Sequence, residues 1–108
     1  SIEELIEKYN TQIIETANYE KFITLFVAVF NPKKRELTYV NAGHQPALLI
    51  QDNNIIQLKT GSTVLGMFDK LPSLKSETIR LNNNSKFICF TDGLAELETS
   101  FGSQLEVV

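Results

Sequence analysis

Cysteine and histidine are scarce in this chain, which has one of each among 108 residues. Cys89 has no partner within the chain for a disulfide, and a zinc site built from several Cys and His ligands is not available. A lone thiol suits a reducing compartment, so we expect a cytoplasmic protein. Because Cys89 lies inside an apolar run, we expect it to be a small buried hydrophobic residue.

The chain also lacks an excess of positive charge and a long hydrophobic run. Its 10 Lys and Arg residues stand against 13 Asp and Glu residues, for a net charge of -3. We therefore expect neither nucleic acid nor direct membrane contact. The longest apolar stretch, residues 22–30, is shorter than the ~20 residues of a membrane helix, and no signal peptide opens the sequence. A membrane-anchored parent protein remains compatible with these observations.

Neither a phosphate-binding loop nor a nucleophilic serine is indicated. Gly61 and Gly66 lack the Lys-Ser/Thr pair that follows a phosphate-binding glycine loop. None of the serines outside the termini has the strand-to-helix elbow of a nucleophile, since all lie in loop or turn contexts. The class of active site that remains is one in which carboxylates bind a hard cation such as Mg²⁺ or Mn²⁺.

The hydrophobic periodicity predicts an α+β fold with one leading helix and about six strands. Residues 2–17 follow a capping box and form an amphipathic helix, with Asn10 expected on its polar side. Strands are expected near 22–30, 36–41, 46–51, 55–58, 74–81 and 86–91, and a long loop at 59–72. The first strand is apolar at odd and even positions, so both of its faces should be covered. The last two strands are expected to pair with each other across residues 82–85.

The apolar run at 87–91 ends in Asp92-Gly93. A buried strand would hold Asp92 rigidly at a sheet edge, where Mg²⁺ or Mn²⁺ could meet its carboxylate and Gly93 would permit close backbone approach. Asp-Gly between apolar runs equally favours a type I′ hairpin turn. If a helix begins near Gly93, Glu96 lies on the same side as Asp92 and could support a metal ligand. The simpler interpretation of Glu96, a solvated first-turn glutamate, is preferred on this pattern alone.

The single histidine lies in the corner Asn41-Ala42-Gly43-His44-Gln45-Pro46, between two expected strands. Histidine titrates near neutral pH and often serves as a general acid or base. No carboxylate adjacent in the sequence would orient the ring of His44. A structural role, in which the ring hydrogen-bonds backbone in a tight corner, is therefore favoured.

Five segments, in order and spacing, resemble the SpoIIE/RsbU branch of the bacterial metal-dependent (PPM, type 2C-like) serine/threonine protein phosphatases. They are residues 22–29, 37–46, 65–66, 90–96 and 101–102. The resemblance covers nearly the whole chain. Its motifs Asn-Ala-Gly-His-x-Pro and Thr-Asp-Gly-x-x-Glu are quite specific when they occur together.

The resemblance implies an α-β-β-α sandwich with two Mn²⁺ or Mg²⁺ ions at one end of its sheets, where water attacks phosphorus in line. Asp92 matches a metal-binding aspartate of the family, and Gly93 supplies backbone beside it. Glu96 and Thr91 match positions near the metals. His44 matches a motif histidine, which we expect to be part of the architecture near the site.

Two aspartate motifs of the family do not occur in this sequence: Gly-Asp before the leading helix and Asp-Asp-x-Thr after the last matched segment. We therefore expect residues 1–108 to be part of a phosphatase domain, with little activity alone. Too little chain remains to cover a sheet that is apolar on both faces, so we also expect the isolated chain to self-associate.

The resemblance implies that the parent protein dephosphorylates phosphoserine or phosphothreonine in a regulatory protein, such as an anti-sigma factor antagonist in a partner-switching pathway. The alternative is a non-catalytic phosphatase-like module for binding or assembly. A third interpretation, with Asp92 as a phosphoacceptor of a receiver domain, conflicts with the strand-rich pattern.

Overall fold

A computed structural model of the chain describes residues 1–90. Over these residues the fold is α+β, as the sequence predicted, with one helix and seven strands. The elements are α1 Ile2–Ala17, β1 Leu25–Asn31, β2 Glu36–Ala42, β3 Ala47–Gln51, β4 Asn54–Leu58, β5 Gly61–Ser62, β6 Glu77–Arg80 and β7 Lys86–Ile88. Within this part of the chain no helix is long and apolar enough to cross a membrane.

Helix α1 has well-formed ends. The hydroxyl of Ser1 accepts a hydrogen bond from the backbone N–H of Glu4 at 3.2 Å, which satisfies one of the free donors of the first turn. Asn18 ends the helix in the left-handed conformation, with φ of 50°. Ile6 is fully buried and Ile2 and Ile13 pack against the same cluster, whereas Leu5 and Tyr9 of the expected apolar side are exposed.

Asn10 is one of the polar residues of α1, as expected, but it is fully buried rather than exposed to solvent. Its side-chain amide donates to the carbonyl oxygen of Phe68 at 2.8 Å, and its side-chain oxygen accepts from the N–H of Gly66 at 2.8 Å. These bonds replace the partners that a buried amide loses when it leaves water. Asn10 is therefore the point at which the segment after β5 is attached to the helix.

Two glutamates continue this attachment toward the start of the helix. Glu7 accepts a hydrogen bond from the backbone N–H of Leu71 at 3.1 Å, and Glu3 accepts from the hydroxyl of Ser76 at 2.8 Å. Positions 3, 7 and 10 lie along one stripe of a helix. This polar stripe binds residues 66–76 along most of the first three turns of α1.

Strand β2 is the centre of the first sheet. It pairs antiparallel with β1 along its whole length, from Leu25 opposite Ala42 to Asn31 opposite Glu36. On its other side it pairs antiparallel with β6 and parallel with β5. The long loop expected at 59–72 thus contains a short strand, because the backbone there completes the pairing of the end of β2.

The second sheet has the order β4-β3-β7. Strands β3 and β4 form a hairpin across Asp52 and Asn53, whose φ values of 52° and 63° are those of a type I′ turn. The expected pairing of the last two strands is wrong, since β6 joins β2 in the first sheet and β7 joins β3 in the second. The segment at 82–85 crosses between the sheets, and the hydroxyl of Ser85 binds the side-chain oxygen of Gln51 at 2.6 Å.

The layers are helix, first sheet and second sheet. Strand β2 contributes side chains to two hydrophobic cores, one between the helix and the first sheet and one between the two sheets. Val40 and Ala42 face the helix with Ile6 and Leu65, whereas Tyr39 faces the second sheet. Phe26 also lies between the sheets, stacked on Tyr39 with ring centroids 5.6 Å apart. This order corresponds to three consecutive layers of the α-β-β-α sandwich.

Two burial expectations are wrong for the described residues. The first strand begins at Leu25 rather than 22, and Ala28 to Asn31 in its second half are exposed. Cys89 is also exposed, not buried. It follows β7, a strand of three residues that pairs only with β3 among residues 1–90.

We expect Asn10→Ala to destabilise the fold by about 1–3 kcal/mol, because it leaves the buried N–H of Gly66 without its partner. Gln12→Ala, at an exposed position of the same helix, is the matched control and should change stability by less than ~0.5 kcal/mol. Urea midpoints of the two variants measure the difference. Equal midpoints would show that the amide of Asn10 contributes nothing to stability.

The hydroxyl of Tyr39 donates to Glu77 and accepts from the N–H of Thr60 at 3.3 Å. Burial, and then the bond to Glu77, raises the pKa of Tyr39 above its ordinary value of 10.0. The unfolded chain therefore loses this proton at lower pH than the folded chain does. The stability that depends on the neutral phenol is complete below about pH 10 and is lost as the pH rises through the folded-state pKa.

We expect Tyr39→Phe to be less stable than the wild type near neutral pH by about 1 kcal/mol, but to lose less stability above about pH 10. Urea midpoints measured across the alkaline range test this, with Tyr9→Phe as a control at an exposed tyrosine of α1. Parallel alkaline curves for wild type and Tyr39→Phe would contradict the role given to this phenol.

Candidate functional site: the corner between the two sheets

The chain passes from the first sheet to the second through the corner at residues 41–46. Asn41 is 4% exposed and lies next to the end of β2. Its side-chain oxygen accepts from the backbone N–H of His44 at 2.8 Å, and its side-chain amide donates to the carbonyl of Leu58 at 3.2 Å. One buried side chain therefore fixes the backbone of the corner and ties it to the end of β4.

Two glycines allow the corner to close on the neighbouring segment. Gly43 has φ of +70°, and a Cβ there would lie 2.6 Å from a methyl carbon of Val64. At Gly61 a Cβ would lie 1.9 Å from the backbone oxygen of Asn41. The backbones of β2 and β5 meet at this point, which leaves no space for a side chain at position 61.

The imidazole of His44 is partly buried, and its Nδ1 lies 2.8 Å from the carbonyl oxygen of Gln45. A carbonyl oxygen can only accept, so Nδ1 carries a proton in this bond. In the neutral ring, Nε2 then holds the lone pair. No partner for Nε2 occurs among residues 1–90.

A second polar atom lies beside the corner. Ser62 pairs with Ala42 in the ladder between β5 and β2, and its carbonyl accepts from the N–H of Gly43 at 3.1 Å. The hydroxyl oxygen of Ser62 is buried and has no hydrogen-bond partner in the described part of the chain. Buried hydroxyls usually have a partner, so this one is a candidate contact for water or a ligand.

The topology brings the end of β7 to the same edge of the sheets. Strand β7 runs antiparallel to β3, with Lys86 opposite Ile50 and Ile88 opposite Leu48. The chain therefore advances from β7 toward the beginning of β3, which directly follows the corner. Cys89 and Phe90, the last described residues, lie at this end.

Of the predicted site residues, the structure describes only His44. Thr91, Asp92, Gly93 and Glu96 lie outside the described residues, so the metal site and the competing hairpin turn both stay predictions. Residues 1–90 contain no group of three or more His, Cys, Asp or Glu side chains placed to hold a metal ion. The described residues alone therefore do not fit a metal centre.

The sequence analysis placed Asn41 in this corner but gave it no role, and it did not connect Gly61 with the corner. Asn41 stands in the Asn-Ala-Gly-His-x-Pro motif, and an amide at a strand end next to a glycine is a signal for side-chain-to-backbone bonds in a turn. Gly61 has no such local signal, because its neighbour across the ladder is 20 positions away in the chain.

An apolar groove of about 490 Å³ lies between the second half of α1 and the segment that enters β1. It is lined by Tyr9, Gln12, Ile13, Thr16, Ala17, Lys21, Ile23 and Leu25. The lining offers no carboxylate and no imidazole, so the groove is less suited to phosphate chemistry than the corner is.

We expect Asn41→Ala to destabilise the fold by about 1–3 kcal/mol, because it removes both bonds that hold the corner. Asn83→Ala, in an exposed turn, is the matched control and should stay within about 0.5 kcal/mol of the wild type. Thermal unfolding of both variants gives the comparison. A wild-type melting temperature for Asn41→Ala would show that the corner forms without this side chain.

Comparison with known proteins supports the resemblance seen in the sequence. The family described as Stage II sporulation protein E (SpoIIE) matches residues 1–107. The chain is 28% identical over 101 residues to Phosphoserine phosphatase RsbU of Bacillus subtilis, which covers 92% of this chain and 30% of RsbU. It is 26% identical over 83 residues to Protein IcfG of Synechocystis, which covers 76% of this chain and 13% of IcfG. The chain thus spans less than a third of either relative, and it belongs to the SpoIIE family.

Proposed function

We propose that the protein containing this chain is a phosphatase that removes phosphate from phosphoserine or phosphothreonine in another protein. The observation that carries the proposal is the family match over residues 1–107, together with the similarity to a relative named phosphoserine phosphatase. The geometry of the corner supports it. A rigid turn presents an imidazole at the sheet edge toward which β7 leads, and the sequence places Asp92 two residues after Phe90.

We propose further that the reaction depends on Mn²⁺ or Mg²⁺ held in part by Asp92, with Gly93, Glu96 and Thr91 near it. The support is the match of Thr-Asp-Gly-x-x-Glu to the family motif. Such ions would activate water and neutralise charge on the phosphoryl group. Within residues 1–90, the contribution of the chain is the corner, which Asn41 and Gly61 hold against β4 and β5.

The substrate we propose is a small phosphorylated regulatory protein of the anti-sigma factor antagonist type, in the cytoplasm. This proposal rests on the resemblance to the SpoIIE/RsbU branch. The net charge of -3 is compatible with a protein partner and offers no attraction for nucleic acid.

We expect Asp92→Asn in the full-length protein to lower Mn²⁺-dependent release of phosphate from a phosphoserine protein by more than ~100-fold. Substitution of groups that only support metal ligands already costs about 10–100-fold, and a direct ligand should cost more. Asp52→Asn is the matched control. It makes the same charge change at an exposed turn whose φ of 52° Asn tolerates, and it should leave turnover unchanged.

Phosphate release is measured with Mn²⁺, with Mg²⁺ and after chelation, and circular dichroism checks that both variants fold. Full turnover by Asp92→Asn would refute Asp92 as a ligand. Absence of turnover by the wild type on any phosphoserine or phosphothreonine protein, with either metal, would instead favour the non-catalytic binding module.

A further inference from the structure

Strand β1 has a ladder partner on one side only among residues 1–90, and that partner is β2. Edge strands of natural proteins usually carry charges, proline or a bulge, which hinder pairing with another chain. The seven residues of β1, LFVAVFN, include no charged side chain and no proline, and their register with β2 is unbroken. The outer edge of β1 therefore has none of these protections against a further strand.

The backbone groups that face this outer edge follow from the pairing of β2. The backbone N–H of Asn41 donates away from β1, to the segment that leads into β5. Because these groups alternate along a strand, those of Val40 point toward β1, where Val40 lies opposite Val27. The N–H and C=O of Val27 are thus used in the ladder with β2, and those of the residues on either side point outward. The outward-facing residues of β1 are Phe26, Ala28 and Phe30.

The second half of β1 is also apolar and exposed. Val29 is 55% exposed and Phe30 is 46% exposed. The first half is better covered, since Phe26 is stacked on Tyr39 with ring centroids 5.6 Å apart. Exposed apolar side chains that lie together often mark an interaction surface. Here they lie on the same strand as the open backbone edge.

The sequence of this edge is a palindrome. Residues 26–30 read Phe-Val-Ala-Val-Phe in both directions. If two copies of β1 pair antiparallel about a two-fold axis at Ala28, each of these residues lies opposite an identical residue of the second copy. Phenylalanine then meets phenylalanine, valine meets valine and alanine meets alanine. No pair carries like charges, and pairs of aromatic or β-branched side chains are favourable across strands.

The same register satisfies the backbone. Phe26 lies opposite Phe30 of the second copy, and Ala28 lies opposite Ala28 of the second copy, so outward-facing residues meet outward-facing residues. Each outward N–H between positions 26 and 30 then has a carbonyl of the other strand as its acceptor. Phe30 of the second copy would also reach Phe26, whose ring lies 5.9 Å from that of Phe87. Phe87 is itself 45% exposed.

We infer that this protein forms a two-fold dimer in which β1 of each copy pairs antiparallel with β1 of the other, centred on Ala28. The occupant is a second copy because a two-fold axis requires a self-complementary strand, which an unrelated partner does not. The first sheets of the two copies become one continuous sheet. A single pair of strands buries less than the about 800 Å² per partner of a standard interface, so we expect a reversible dimer. The inference is independent of the proposed phosphatase function.

The test uses the charge at the two-fold axis. In the 108-residue chain, Ala28→Lys places two ammonium groups opposite each other, and we expect sedimentation equilibrium to show a dimer Kd about 10-fold higher than that of the wild type. Ala28→Glu should do the same. An equimolar mixture of the two variants should dimerise as well as the wild type, because the pair at the axis then has opposite charges. Ile55→Lys, at a 66% exposed strand position of the second sheet, is the control and should leave the Kd unchanged.

A disulfide provides a second measurement. Residues of a hydrogen-bonded antiparallel pair have Cα atoms about 5.5 Å apart, which is within the range of a disulfide. With Cys89 replaced by serine, Ala28→Cys should crosslink two copies on mild oxidation, both in the 108-residue chain and in the full-length protein. Gln57→Cys in the same background, at an exposed position of β4, should not crosslink. Circular dichroism checks the folding of each variant, and the crosslink decides the question if a charged variant fails to fold.

A wild type that stays monomeric at about 300 μM would overturn the inference. Equal losses for Ala28→Lys and Ile55→Lys, or a Lys/Glu mixture that dimerises no better than either variant alone, would also overturn it, because the contact would not be centred on Ala28. Absence of the crosslink in the full-length protein would do the same and would assign the edge of β1 to another strand of that polypeptide. None of these measurements depends on phosphatase activity, so failure of the proposed function would be seen separately.

Discussion

Burial of strand β2 on both of its faces is the constraint on which the rest of this structure depends. The strand sends Val40 and Ala42 toward the helix and Leu37 and Tyr39 toward the second sheet, so one seven-residue segment belongs to two cores. Because side chains alternate along a strand, a shift of the register by one residue would exchange these two sets. The pairing with β1, β5 and β6 is therefore fixed by packing as well as by backbone hydrogen bonds.

The segment between β4 and β6 is held at both ends by contacts to other elements. At its beginning, Gly61 lies directly against the backbone of Asn41, and the N–H of Asn41 donates to the carbonyl of Thr60 at 2.9 Å. Further along, Gly66 and Leu71 donate to the polar stripe of α1. A stretch with little regular structure is thereby held by hydrogen bonds to β2 and to α1.

The sequence predicted those features that depend on local pattern. The capping box, the helical period of α1 and the turn at Asp52-Asn53 each draw on residues within a few positions of one another. Prediction from the sequence failed where the interacting residue lies far away in the chain. An Asn-rich turn at 82–85 indicates that the chain reverses, but not which sheet the next strand joins. A polar residue in a helix is predicted to face solvent unless its hydrogen-bond partners are known. The backbone groups that bind the side chain of Asn10 lie more than 50 positions away in the chain.

The exposed position of Cys89 has a practical consequence. It is the only thiol in the chain, and it follows β7, the strand that leads toward the proposed site. Thiolates at accessible positions react selectively with alkylating reagents. A fluorophore or spin label attached there would sit one residue beyond β7, on a framework fixed by β3. Because β7 leads toward the corner, such a label would report spectroscopically on events there. No additional cysteine would have to be introduced into this chain.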